Sequence, residues 1–159
     1  MPPGEDEARR LVAEVRDPEL PLLTIGDLGI VRGVSVGPGG KVEVVLTPTY
    51  SGCPAMSHMA AEVRSSLLGA GFPEVEVRTE LAPAWNTDRL GPAVRAKLEA
   101  MAITPPRPAG EEAISISLQC PQCSSLRTRE LSHFGSTACK SLWRCQDCGE
   151  PFEHFKELH

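Results

Sequence analysis

The chain has 159 residues, of which 41% are hydrophobic and 23% charged, the composition of a globular protein rather than a disordered or fibrous one. With 16 Lys plus Arg against 21 Asp plus Glu, the formal charge is -5, so the chain as a whole offers no phosphate-neutralising surface, and nucleic acid and membrane are not expected partners. No run approaches the ~18 apolar residues of a membrane helix, and the charged opening lacks a signal-peptide core. A cytoplasmic location is therefore expected.

Taken in chain order, Glu5 to Val15 places Ala8, Leu11, Val12 and Val15 on one helical face, and Pro18 closes the segment. Ile30 to Val36 and Lys41 to Thr47 are β-branched runs flanking Gly37-Pro38-Gly39-Gly40, which predicts a hairpin. Pro54 to Leu68 carries Met56, Met59, Ala60, Val63 and Leu67 at helical spacing and is ended by Gly69 and Gly71. A strand over about Val75 to Leu81 follows, making a βαβ crossover with two parallel strands under one helix. Thr87 to Met101 reads as a last helix. The order α-β-β-α-β-α predicts an α+β fold, a small mixed sheet with helices packed on it, over residues 1–103.

Three prolines and a glycine within Thr104 to Gly110 support neither helix nor central strand, so a linker is placed at 104–112. Residues 113–159 then form a small module, with Ile114 to Leu118 and Leu142 to Arg144 as strands that run into two Cys-x-x-Cys knuckles.

Those knuckles are Cys120-Pro-Gln-Cys123 and Cys145-Gln-Asp-Cys148-Gly149. Two residues between thiolates let one tight turn aim both sulfurs at a single ion, and two facing turns complete a tetrahedron. Cys120, Cys123, Cys145 and Cys148 therefore read as ligands of a structural zinc in a zinc ribbon. An iron-sulfur centre or a redox dithiol are the other chemistries four thiols allow. Gly149 suits a turn that needs positive φ. Cys139 is read either as a buried residue of the ribbon or, with His133 and Lys140, as part of a partner-binding surface; His154 and His159 are expected to be exposed.

The remaining thiol, Cys53, stands between a glycine-containing loop and Pro54 at the predicted start of a helix, where unpaired amides favour a thiolate. It is a candidate soft-metal ligand or nucleophile. Asp17, in Asp17-Pro-Glu19, is either turn punctuation or an oxygen donor. If the fold brings it to Cys53, the pair would form an incomplete site that suits a transient iron or cluster, or one shared across a homodimer. His58 and Glu62, four apart on one helix, read as a solvated pair. The chain contains no paired Glu-x-x-His motif for a di-iron centre and no glycine-rich dinucleotide fingerprint, so it is not expected to be an oxygenase itself, and a thiol enzyme built on Cys53 lacks a recognisable base near it in sequence; no catalytic activity is expected of the chain alone.

Asp17-Pro-Glu, Asp27-Leu-Gly-Ile-Val, and Thr47 through Cys53-Pro54 resemble the small domain of SufT-like iron-sulfur assembly proteins. The phrases at 47–55 (Thr-Pro-Thr-Tyr-Ser-Gly-Cys-Pro-Ala), 82–88 (Ala-Pro-Ala-Trp-Asn-Thr-Asp), 103–106 (Ile-Thr-Pro-Pro), 134–140 (Phe-Gly-Ser-Thr-Ala-Cys-Lys) and 150–156 (Glu-Pro-Phe-Glu-His-Phe-Lys) resemble the PaaD family, whose members are components of the phenylacetyl-CoA epoxidase system. Trp85-Asn-Thr-Asp-Arg89 departs from the family's Trp-Thr-Thr-Asp-Trp. The resemblance implies an accessory role in aerobic phenylacetate breakdown, with the oxygenase and reductase subunits as partners. It gives Cys53 and Asp17 a role in handling iron or a cluster, and the four ribbon cysteines a metal-binding role. A zinc-ribbon adaptor for nucleic acid or protein is the alternative class. Against nucleic acid, the segment from 111 onward is itself net negative, with Glu111, Glu112, Glu130, Asp147, Glu150, Glu153 and Glu157 against Arg127, Arg129, Lys140, Arg144 and Lys156.

Overall fold

A computed structural model describes residues 4–49, 55–107 and 117–157. The chain divides into two compact units, Met1–Trp85 and Asn86–His159.

In the first unit, helix α1 (Glu5–Ala13) opens on Glu5, Asp6 and Glu7, whose charges complement the helix dipole, and buries Ala8 and Val12. The chain then doubles back, with the Ile25 amide donating to the Val15 carbonyl at 2.7 Å and the Gly26 amide to Ala13 at 3.2 Å. Strands β1 (Val31–Val36) and β2 (Lys41–Leu46) form the expected antiparallel hairpin. Its turn uses Gly39 and Gly40 at φ of 77° and 85°, conformations open to glycine at no steric cost.

Along β2, Val42, Val44 and Leu46 are buried in strict alternation, which marks one face as core. Helix α2 (Ala55–Gly69) lays Ala55, Met59, Val63 and Leu67 on the same core, one residue per helical turn. It leads to β3 (Glu74–Thr79), which pairs parallel to β2 from Lys41 opposite Glu74 to Leu46 opposite Thr79. The sheet order is β1-β2-β3. The βαβ crossover and the mixed sheet are thus both present. Trp85 closes the unit, buried, its indole N–H donating to the Leu28 carbonyl at 2.6 Å.

The second unit begins with a 3-10 turn (Thr87–Arg89) and helix α3 (Pro92–Ala100). The sequence predicts one helix over this span. It is split because Gly91-Pro92 restarts it: proline supplies no amide to continue the turn but fits the first helical position. Strand β4 (Ile103–Thr104) pairs parallel to β7 (Pro151–Phe155), which with β5 (Thr128–Ser132) and β6 (Lys140–Cys145) makes a sheet of order β4-β7-β6-β5. Residues 87–104 therefore lie in the compact unit that holds the ribbon strands, although the expected linker begins only at Thr104. Leu118, Trp143 and Phe152 form a small apolar cluster. Most of the linker and of the strand expected at Ile114 to Leu118 lies outside the described residues.

Candidate metal centre and the Asp17 loop

Both knuckles use the same turn. The Ser124 amide donates to the Cys120 carbonyl at 2.9 Å and the Gly149 amide to the Cys145 carbonyl at 3.0 Å. The residue after each second cysteine takes positive φ, 64° at Ser124 and 77° at Gly149. Hydrogen bonds Cys120 N–H to Ser125 O (2.8 Å) and Cys145 N–H to Glu150 O (3.0 Å) close the loops.

The turns face each other. Cys120 Sγ lies 3.7 Å from Cys148 Sγ, Cys123 Sγ lies 3.5 Å from Cys145 Sγ, and all four sulfurs are within 4.8 Å of one another. A metal–sulfur bond of about 2.3 Å in a tetrahedron sets sulfur–sulfur edges of about 3.8 Å, so the set fits one thiophilic tetrahedral ion. The electrostatics agree. The Cys148 and Asp147 amides, with hydrogen bonds from the Cys123 and Cys148 thiols, pull the Cys145 thiol down to about 6. At Cys148 the Glu150 amide also pulls down, but desolvation and the three neighbouring thiols outweigh it and push that thiol up to about 12. Four thiols this close cannot share negative charge without a cation among them.

At the end of β6 away from Cys145, Cys139 and Lys140 are buried, and Lys140 Nζ lies 3.6 Å from Glu153 Oε1. Glu153 also accepts from the Ser136 amide at 2.8 Å and fills the space that a Cβ on Gly135 would need. Of the surface reading for Cys139, His133 and Lys140, only His133 is exposed. His154 corrects the expectation of an exposed imidazole: it is 2% exposed, with Nδ1 2.8 Å from Thr104 Oγ1 and Nε2 3.0 Å from Glu157 Oε1. Glu157 in turn accepts from the Arg107 amide and Nε at 3.0 and 2.8 Å. Glu157 is three residues away, but the other partner could not be read locally, because Thr104 and His154 are 50 residues apart. His159 lies outside the described residues.

In the first unit Asp17 is 7% exposed. Its Oδ1 accepts from the Glu19 and Leu20 amides at 2.7 and 3.3 Å, so it organises its own turn. Among the described residues its other oxygen accepts no hydrogen bond. Asp17 lines a cavity of about 560 Å³ together with Leu11, Glu14, His58, Glu62 and Ser66. His58 and Glu62 are both exposed. Cys53 lies outside the described residues, so its convergence with Asp17 does too. Thr47, which the sequence offers as the first residue of the 47–55 phrase, follows β2 and is buried, and its Oγ1 has no hydrogen-bond partner among the described residues.

Comparison with known proteins bears on both units. A family model for the PaaD zinc beta ribbon domain matches residues 104–156, and one for an iron-sulfur cluster assembly protein matches residues 5–79. The chain is 44% identical, over 98% of its own length and 94% of the relative's, to an Escherichia coli (strain K12) protein to which the role of a 1,2-phenylacetyl-CoA epoxidase subunit is ascribed. The chain belongs to the PaaD family. A second relative of this PaaD-family chain is an Fe-S protein maturation auxiliary factor from Porphyromonas gingivalis (strain ATCC BAA-308 / W83). It is 33% identical over 54% of this chain and 82% of its own. Among solved structures, a DUF59 domain from Bacillus anthracis superposes with a TM-score of 0.54 at 26% identity, covering 59% of this chain and 90% of its own. A conserved hypothetical protein from Thermotoga maritima gives 0.52 at 25%, covering 60% and 94%. The α+β fold of the PaaD-family chain and its metal-binding cysteine cluster accord with these matches.

Proposed function

We propose that this chain is an accessory subunit of a 1,2-phenylacetyl-CoA epoxidase system that helps the oxygenase or reductase acquire its iron or iron-sulfur centre. The full-length likeness to an epoxidase-system protein carries this reading, because it spans an iron-sulfur-assembly unit and a metal-binding ribbon in one chain. The two units divide the work. Cys53 and Asp17 hold iron or a cluster transiently; the second oxygen of a buried carboxylate on an open cavity supports Asp17 as a donor. Zinc occupies the four-cysteine site, whose thiolates leave no position for substrate, and the ribbon docks the recipient.

The test is co-expression of the oxygenase and reductase subunits with wild type, Cys53→Ala or Cys120→Ser, followed by iron quantification of the purified recipients. Cys53→Ala is expected to give iron-poor recipients from a well-folded accessory protein. Cys120→Ser is expected to give a poorly folded accessory protein, because a lost ligand is lost folding energy. Full iron loading with both variants overturns the assembly role.

A further inference from the structure

The four thiols are not equivalent toward water. In each knuckle the first cysteine is buried, Cys120 at 1% and Cys145 at 0% exposure, whereas the second, Cys123 or Cys148, is exposed. One edge of the sulfur tetrahedron therefore faces solvent. Side chains join the two knuckles along that edge. Asp147, inside the second knuckle, accepts from the Ser125 hydroxyl through Oδ2 and from Arg127 Nη1 through Oδ1 at 2.6 Å. The Arg127 amide donates to Ser125 Oγ at 3.0 Å, and the Gln146 amide to the Arg127 carbonyl at 2.7 Å. One carboxylate thus spans segments that are 20 to 22 residues apart in sequence.

We propose that Asp147 is a positioning residue that latches the knuckles across their solvent-facing edge and sets how fast the site releases its metal. This rests on the reading that the four cysteines hold an ion. Release from a closed four-thiolate site proceeds by loss of one ligand at a time. The thiols that can exchange with water first are Cys123 and Cys148. Drawing one knuckle turn away from the other, as full opening of the site requires, separates Ser125 and Arg127 from Asp147, so the latch must break before the knuckles part. An isolated exposed ion pair is worth little. Here, however, both carboxylate oxygens are used at once, by a residue next in the chain to the ligand Cys148; groups bonded directly to ligands typically change metal affinity by about 10- to 100-fold, and a residue acting through the knuckle backbone falls at the lower end.

The experiment uses the full chain loaded with one zinc and follows release into an excess of chromophoric chelator. Asp147→Ala is expected to release zinc about ten-fold faster. Ser125→Ala and Arg127→Ala are each expected to release it about two- to five-fold faster. The Arg127→Ala/Asp147→Ala double variant should be no faster than Asp147→Ala, since the two share one interaction. Cobalt(II)-loaded Asp147→Ala should keep the tetrahedral thiolate absorption of wild type, a readout that general misfolding would alter. Wild-type release from Asp147→Ala, or independent addition of the two effects, overturns the latch. If Asp147→Ala does not fold, the two single variants decide, and wild-type rates in both overturn it. A wild-type chain that retains no stoichiometric zinc overturns the metal reading and the latch with it.

Discussion

Gly26 packs against the end of α1 so closely that a Cβ would meet Ala13 Cβ and O at 2.8 Å each. Neither a backbone carbonyl nor a Cβ can rotate away, so Gly26→Ala is expected to cost about 1–3 kcal/mol, measured by urea unfolding. The segment from Gly26 holds Asp17's neighbourhood through the bonds between residues 13–15 and 25–26, so this is also a residue on which the cavity depends. At this scale the sequence was informative about residues whose role is set locally and silent about the rest. Asp17 as a turn former and the facing knuckles could be read directly, because a turn and a chelating pair are both made within a few positions. The burial of His154 could not, because imidazole is an ordinary surface group until Thr104 and Glu157 are brought to it.

Among the elements, α2 shows the plainest link from pattern to packing. Leu67 is fully buried and its neighbour Leu68 is 46% exposed. Leu67→Ala is expected to destabilise by about 2–5 kcal/mol and Leu68→Ala by under about 1 kcal/mol, compared in the same thermal or urea denaturation. Helix α2, the hairpin and the parallel return to β3 were legible because apolar residues recur there with a clear period. Strands β5 and β7 were not. Thr128-Arg-Glu-Leu-Ser132 is an edge strand with no buried residue, so no alternation is written into it. β7 begins with a proline and carries half-buried Glu153 and buried His154, which are held by Lys140, Ser136 and Glu157 rather than by hydrophobicity. The long helix expected at Thr87 failed for a simpler reason, the Gly91-Pro92 step inside it.

At the scale of the molecule, the two units rest on different physics. The first has a core of aliphatic side chains over a sheet, whereas the second adds a metal site to a small apolar cluster. Chelation of the metal is therefore expected to strip hydrogen-exchange protection from β5, β6 and β7, while amides of β2 and α2 keep theirs. The second unit should also weaken in acid. Burial alone would raise the Glu157 carboxyl, but hydrogen bonds from His154 and Arg107 outweigh it and hold that group well below the usual carboxylate range. A depressed folded-state value stabilises above the unfolded value of about 4.3 and is lost as pH falls toward the folded one. The stability difference between wild type and Glu157→Gln should accordingly shrink below about pH 4; a difference that persists undiminished in strong acid would show that the carboxylate does not contribute in this way.

The chain has two tryptophans, and the fold assigns one to each unit: Trp85 donates to the Leu28 carbonyl in the first, and Trp143 donates to Ser141 Oγ in the second. Both indoles are shielded, so each emission colour reports on its own surroundings. A Trp85→Phe protein glows only from the second unit and a Trp143→Phe protein only from the first, so the melting of each unit can be followed by its own fluorescence without any added dye.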